Sequence, residues 1–327
     1  MKIIAEYGKD DLAKVYVAQM RIGNEDNEKQ SKRFFVEFVE SLQPPTPREK
    51  KMVIIVSTLF GCPGNCKMCD AGSDYHGKMT AEEILLQIGY IINRRFSNKQ
   101  IQTDKLKIQF SRMGEPSLNP AVLDAMKKIS DIHNTHALNV SLSTIAPKNS
   151  VSDEFFEKLI DIKDTYYSGG RFQLQFSVHT TDSNKRDHLM PMKKWSFKEI
   201  SEYGERYLHN GDKKITLNFA PVIGYPIDPK VLKEYFDPNK FLIKITPLNP
   251  TVKANECGLS TAIDPYDRST ANILIDSLKN EGFEVILSIG EPEENKIGSN
   301  CGQYILKAMN AIDRPEDGYQ LNKYKIE

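Results

Sequence analysis

The sequence predicts an α/β fold in which six strands and their helices build an incomplete (β/α)6 barrel behind a small N-terminal β-hairpin. One observation is a series of short segments in which apolar and polar residues alternate, the period of a strand with one covered face. The other is that helical apolar spacing fills the gaps between them, the order of βα units on a parallel sheet. Parallel strands covered on both faces read as continuous apolar runs, and these strands instead keep a polar face. A barrel reconciles the two, with helices outside and the polar faces lining a lumen. A polar lumen departs from the packed interior of an ordinary (β/α) barrel and implies a splayed barrel around a large polar ligand. An antiparallel sheet with one wet face is the alternative.

Strand patterns at 14–19 and 34–39, joined by a charged turn at 21–31, form the hairpin, and the proline-rich tether 44–47 leads to a first barrel strand at 52–56. Leu106, Ile108 and Phe110 oppose Lys107, Gln109 and Ser111 on the next strand. Leu138, Val140 and Leu142 oppose Asn139, Ser141 and Ser143, and Phe172, Leu174, Phe176 and Val178 oppose Gln173, Gln175, Ser177 and His179. Strands at 215–219 and 241–246 turn Thr216, Asn218, Lys244 and Thr246 to the polar side. Thr80 and Glu83 form a capping box ahead of Ile84, Leu85, Ile88, Ile91 and Ile92, a single helical face. Further helical stripes are Leu123, Met126 and Ile129, then Phe155, Phe156, Leu159 and Ile160. A long loop at 249–264, a helix near 271–280, a last strand at 283–289 and an acidic loop at 291–295 follow. The chain thus divides into an extension and tether (1–50), the barrel (51–250) and a C-terminal extension (251–327).

With 327 residues, a large core is possible. No apolar run approaches the roughly eighteen residues of a membrane span, which predicts a soluble protein. Lysine plus arginine equals aspartate plus glutamate at 44 each, so charge gives no general pull toward a polyanion and does not favour ribosomal RNA. Five cysteines, with no signal-peptide pattern, fit reduced thiols in the cytoplasm better than a disulfide framework.

Cys62, Cys66 and Cys69 stand in one Gly/Pro-bearing stretch directly after the first barrel strand. Three thiolates hold three irons of a cubane and leave the fourth iron open to a ligand that is not protein. Structural zinc needs a closed fourth ligand, for which Asp70, His76 or Cys301 is available.

Cys62-x3-Cys66-x2-Cys69 resembles the signature of the radical S-adenosylmethionine (SAM) enzymes. Met113-Gly-Glu-Pro116, Leu142-Ser-Thr-Ile145, Phe176-Ser-Val-His179, Arg186-Asp-x-x-Met-Pro191, Leu248-Asn-Pro250 and Asn300-Cys-Gly-Gln303 follow in order. With them the chain resembles the RlmN/Cfr-type enzymes that methylate adenine in ribosomal RNA. The resemblance implies a radical SAM partial barrel, a [4Fe–4S] cluster on the three cysteines, SAM on the open iron, and a low-potential electron donor such as flavodoxin or ferredoxin. It implies that Gly114 and Glu115 meet the SAM amino group, that Ser143 makes a polar contact, that Ser177, Val178 and His179 bind the ribose side, and that Asn249 holds SAM. The bland alternatives are a helix-capping Glu115 and a satisfied lumen histidine at His179.

In that family a C-terminal cysteine carries a methyl group to the substrate, and a second cysteine resolves the crosslink. Cys301 matches the carrier. The second place holds Ile55, which has no nucleophile, and Cys257 is either a substitute or an ordinary small residue. A longer N-terminal region that helps RlmN-type enzymes hold RNA has no counterpart in the resemblance. The expected reaction is methyl or methylene transfer through S-methyl-Cys301 to an unactivated carbon. A radical rearrangement or oxidation, or an iron–sulfur electron-transfer module, are the alternatives.

Overall fold

The computed structural model describes residues 1–21, 34–96, 101–132 and 136–327. Its main sheet has eleven strands in the order β12-β11-β10-β9-β8-β7-β4-β3-β2-β1-β13. The parallel part is β4 (Met52–Val56), β7 (Leu106–Phe110), β8 (Leu138–Thr144), β9 (Phe172–Ser177), β10 (Ile215–Phe219), β11 (Phe241–Ile245) and β12 (Glu284–Leu287). The antiparallel alternative is thereby excluded for the barrel. The strand expected at 283–289 is β12, a seventh parallel strand that leaves the barrel open at its edge.

The N-terminal hairpin is larger than expected. β1 (Lys2–Gly8), β2 (Ala13–Gln19) and β3 (Phe35–Ser41) form an antiparallel meander, and β13 (Lys325–Ile326) adds to β1. β1 does not alternate cleanly, because the C-terminal segment covers part of it. The meander does not cap the barrel; β3 pairs antiparallel with β4, Val39 opposite Ile55, so one sheet runs through both. Of the turn at 21–31, only Arg21 lies within the described residues, and its Nε pairs with Glu83 Oε1 at 2.7 Å.

Leu106, Ile108, Phe110, Leu138, Val140, Leu142, Phe172, Leu174 and Phe176 are all buried in the main apolar core. Helices cover that face: α1 (Ala81–Arg95), α2 (Ala121–Ile132), α3 (Ser150–Tyr166), α5 (Phe197–Tyr207) and α6 (Pro229–Tyr235), whereas α4 (Ser183–Leu189) packs Leu189 in a separate cluster with Ile145 and Cys66. The Thr80–Glu83 capping box forms, with Thr80 Oγ1 accepting from Glu83 N–H at 3.2 Å and Glu83 Oε2 from Thr80 N–H at 2.8 Å. One turn on, the buried Gln87 spans both backbone groups of Ser57 (2.9 and 3.0 Å), so α1 braces the chain as it leaves β4 for the cysteine loop.

Two segments read as loops contain helices. α7 (Val252–Glu256) interrupts 249–264, with Thr251 as its N-cap, and α8 (Asn272–Asn280) follows as expected. The acidic stretch at 291–295 begins α9 (Pro292–Ile297), with proline at its start, Glu293 and Glu294 in the first turn and Gly298 at φ 80° past its end. Acidic residues favour a helix N-terminus, so charge alone misidentified this as loop. α9, α10 (Ile305–Asn310) and α11 (Leu321–Tyr324) bury Ile297, Ile305, Tyr319 and Tyr324 against Tyr7, Val15, Val17 and Val39. The C-terminal extension therefore covers the face of the antiparallel strands that no barrel helix reaches.

Candidate active site

β4 delivers the chain into a two-stranded ribbon, β5 (Leu59–Cys62) and β6 (Ser73–Lys78), with the cysteine loop between them. Glycine is needed at one place in it, Gly72. A Cβ on Gly72 would stand 2.9 Å from Asn65 Cα, and one on Gly64 would lie 3.4 Å from Cys62 Sγ and 3.8 Å from Cys66 Sγ. Gly64 thus faces two sulfurs that converge on the same space. Backbone N–H groups of Gly64 and Glu115 donate to Cys62 sulfur. Burial raises all three thiols: Cys62 up to about 11, with the Glu115 charge adding to it; Cys66 up to about 12, with Cys62 and Glu115 adding; and Cys69 well above the ordinary thiol value, with Cys66, Cys62 and Cys301 adding. Three crowded thiols that resist ionisation alone match a site whose iron would supply the missing positive charge. All five cysteines are free.

Asp70 is not available to close a zinc tetrahedron. Its Oδ1 accepts from Lys253 N–H (2.7 Å), and its Oδ2 from Val252 N–H (3.0 Å) and the Tyr319 hydroxyl. It ties the cysteine loop to the start of α7 and to the C-terminal extension. His76 lies on β6 beside Asp74.

Gly114 sits at φ 97°, and a Cβ there would lie 2.6 Å from Leu59 Cβ and 2.8 Å from Leu59 N. This close approach brings the end of β7 onto the ribbon carrying Cys62. The buried Glu115 carboxylate caps the short turn Pro116–Leu118 and staples it to β8. Oε1 accepts from Ser117 N–H (3.1 Å), Ser117 Oγ (2.8 Å) and Thr144 Oγ1 (2.5 Å), and Oε2 from Ile145 N–H (2.9 Å). Oε2 keeps capacity for one more donor.

Ser143 and Ser177 lie on the inward face, Ser143 opposite Gln175 and Ser177 opposite Asn218. β9 ends at Ser177, so His179 is not placed by strand alternation; it turns inward in the left-handed region, φ 66°. The N–H groups of Val178 and His179 both donate to Asn218 O (2.9 and 3.2 Å). His179 Nδ1 accepts from Ala220 N–H (3.1 Å), which puts the neutral ring's proton on Nε2. Burial, then the nearby Arg186 charge, brings its pKa down to about 4. Of the four buried polar side-chain atoms without a partner among the described residues, three lie here: Asn218 Oδ1 and Arg186 Nε and Nη2. A polar ligand with both donors and acceptors fits such a cradle, as the ribose and adenine edges of SAM would.

Cys301 lies on the C-terminal extension and is returned to the barrel mouth. Arg112, just beyond β7, donates to the carbonyls of Gly298 (2.8 Å), Ser299 (3.1 Å) and Asn300 (2.7 Å) and to the buried carboxylate of Glu37 (2.8 Å). Asn249 Nδ2 donates to Cys301 O (2.8 Å), Asp70 N–H to Gly302 O (2.7 Å), and the Cys301 thiol to Ser111 O (3.2 Å). A Cβ on Gly302 would lie 3.4 Å from Met68 O and 3.8 Å from Cys69 Cα. The cysteine nearest the C-terminus and the cysteine loop are therefore direct neighbours. Asn249 serves this clasp. Cys257 caps the C-terminal end of α7, and Ile55 packs with the C-terminal apolar cluster.

Sequence reasoning missed Arg112, Glu37, Asp70 and Arg186 as positioning residues. Asp70 and Arg186 stood inside motifs already singled out. Glu37 left a trace as the charged residue within the apolar pattern of β3, but its partners lie 75 and 269 residues away.

The family described as "Radical SAM superfamily" matches residues 56–234, more than half of the chain. The chain belongs to the radical SAM superfamily; it is an enzyme, and the cofactors of that superfamily are a [4Fe–4S] cluster and SAM. More particularly, it is similar to RlmN-type methyltransferases. It is 24% identical over 278 residues to the "Probable dual-specificity RNA methyltransferase RlmN" of Chlorobium phaeobacteroides (strain BS1), covering 84% of this chain and 72% of that one. It is 25% identical over 285 residues to the "Dual-specificity RNA methyltransferase RlmN" of Pseudomonas fluorescens (strain SBW25), covering 83% and 68%. Its fold is similar to that of a radical SAM methyltransferase from Sphaerobacter thermophilus, with a TM-score of 0.70 at 18% identity over 92% of this chain and 80% of the other. No helix among the described residues is long and apolar enough to cross a membrane.

Proposed function

We propose that this enzyme transfers a methyl or methylene group through S-methyl-Cys301 to an unactivated carbon. The observation that carries the reading is the clasp that holds Cys301 against the cysteine loop, with Gly302 next to Cys69. Cys62, Cys66 and Cys69 would hold the cluster; Gly114, Glu115, Ser143, Ser177, Val178 and His179 would hold SAM, whose reductive cleavage supplies the 5′-deoxyadenosyl radical. The chain's own work is positional. Arg112 and Asn249 fix the Cys301 backbone, Asp70 locks the cysteine loop to α7, and His179, kept neutral, offers Nε2–H as a donor. A low-potential donor such as flavodoxin or ferredoxin would supply electrons in the cytoplasm.

The relatives named RlmN act on RNA by their names. With 44 basic and 44 acidic residues, this chain has no overall charge to draw it to RNA, and the reading favours a smaller substrate. Ile55, packed in apolar surroundings, cannot resolve a crosslink. This favours a second reading, in which Cys301 is a hydrogen-atom donor or substrate anchor. If methyl transfer runs, Cys257 is the cysteine left to release the product.

Anaerobically reconstituted protein given SAM and a strong reductant is expected to form 5′-deoxyadenosine and S-adenosylhomocysteine, with a methyl increment on Cys301 in intact-protein mass spectrometry. Alanine at Cys62, Cys66 and Cys69 together should abolish iron and both products, and Cys257→Ala should trap a Cys301–substrate adduct. 5′-Deoxyadenosine without the increment selects the second reading.

A further inference from the structure

The inward face of the barrel carries lysines that the fold leaves without acids. Lys107 on β7 stands in register between Val53 and Asn139, and Lys244 on β11 between Asn218 and Ile286, both on the polar face that the alternation turns into the lumen. Both side chains are half-buried, and neither has a hydrogen-bond or ion-pair partner among the described residues. Three more lysines surround Lys107: Lys51, Lys105 and Lys213, from the segments leading into β4, β7 and β10. Lys51 reaches only Gln43 Oε1 (2.6 Å), and Lys213 only Asn139 Oδ1 (3.3 Å).

The contrast with the lysines that the fold buries is the telling point. Lys14 pairs with Asp10 (2.8 Å), Lys163 with Asp164 (2.7 Å) and Asp212, and Lys194 with Asp187 (2.5 Å). Where the fold buries an ammonium for structure, it supplies a carboxylate. The half-buried Lys107 and Lys244 receive none, so ammonium groups crowd one partly desolvated face and repel one another, a field that an anion would relieve. Burial and the neighbouring lysines bring Lys107 down to about 7, the response of an amine with no anion beside it. Lys244 feels Cys301 as well as Lys51, so the lysine-lined space extends from the mouth of the barrel, where Cys301 sits, toward its N-terminal end.

We propose that the lumen beneath Cys301 is a binding site for a small substrate bearing phosphate or carboxylate oxyanions, anchored by Lys107 and Lys244 with Lys51, Lys105 and Lys213 as a cationic surround. The proposal deepens the methyl-transfer reading, on which it rests for calling the ligand a substrate; the anion site itself is testable apart from turnover. Compact anions suit the place because several positive charges share one inward face of the sheet, and Lys ammonium groups bind oxyanions as point charges.

The test uses cluster-reconstituted protein saturated with SAM, titrated calorimetrically at low salt with inorganic pyrophosphate and, in a second arm, with citrate. The wild type should bind at least one of them, and the arm that binds tighter separates phosphate from carboxylate. Lys107→Met and Lys244→Met should each weaken binding tenfold or more. Lys158→Met, which removes an exposed lysine paired with Glu154, should not. Without anion, both lumen variants should melt higher than wild type, because removing an unpaired, half-buried charge from among like charges stabilises while it disarms the site. Absence of binding by the wild type, equal affinity in the lumen variants, lower melting of those variants, or displacement of the anion by added SAM would each overturn the proposal. 5′-Deoxyadenosine and Cys301 methylation are scored separately: anion binding without them refutes methyl transfer and leaves the site standing.

Discussion

Replacing Arg112 with Met tests the clasp that brings Cys301 to the cysteine loop. Its guanidinium is 2% exposed and the Glu37 carboxylate 0%. The substitution removes the 2.8 Å ion pair and three hydrogen bonds to the carbonyls of 298–300. Glu37 would keep only backbone donors, the N–H of Leu306 at 3.0 Å among them. Stranding a buried charge in this way costs about 3–5 kcal/mol. The cost has a ceiling: burial already pushes the Glu37 carboxyl up, and without Arg112 it can protonate instead of remaining charged. Adding Glu37→Gln removes the stranded charge, so the double variant should recover about 2 kcal/mol of the single variant's loss. Urea unfolding of the anaerobic, reconstituted proteins measures both numbers, and hydrogen exchange at 298–303 should quicken in Arg112→Met. A loss under about 1 kcal/mol, or full additivity of the two substitutions, would falsify the idea that this pair anchors the Cys301 segment.

Glu115→Gln should weaken SAM binding while the cluster still forms, and it should also lower stability by about 1–3 kcal/mol, because its amide must face either Ser117 N–H or Ile145 N–H. Calorimetry and denaturant unfolding read the two effects, and unchanged values in both would remove Glu115 from the site and from the staple. Lys107, which faces Lys51, Lys105, Lys213 and Lys244, makes stability depend on pH. Its folded pKa, about 7, lies below the ordinary lysine value of 10.5. Between those values the unfolded chain holds more protons, so this lysine's penalty is full below pH 7 and is relieved as pH rises. The stability gained by Lys107→Met should therefore be larger at pH 6 than at pH 9.5, by up to about 3 kcal/mol at 1.36 kcal/mol per pKa unit. A gain independent of pH would show that Lys107 is not charged and half-buried in the ligand-free protein.

The barrel was legible because its signals are local. Alternation in the segment around Leu106 and Phe110, the capping box at Thr80 and Glu83, and the tight spacing of Cys62, Cys66 and Cys69 each need only neighbours along the chain. What alternation could not decide was where it stops. His179 takes its position from a left-handed turn after β9, and the meander merges with the barrel through the pairing of Val39 with Ile55.

The sequence by itself determined the three-cysteine loop, the parallel strands with their polar inner face, and Cys301 as the C-terminal cysteine to watch. Only the tertiary structure decided what holds Cys301 in place. Arg112 joins Glu37 on β3 to the carbonyls around residue 300, and Asp70 joins the cysteine loop to Tyr319, over separations with no periodicity to betray them. It also decided which lysines are paired. Lys163 and Lys107 look alike along the chain, and only folding puts aspartates beside the first and four other lysines around the second. A charge in a sequence has no partner until the chain folds; its energy depends on what comes to lie within a few ångströms, and that is a property of three dimensions.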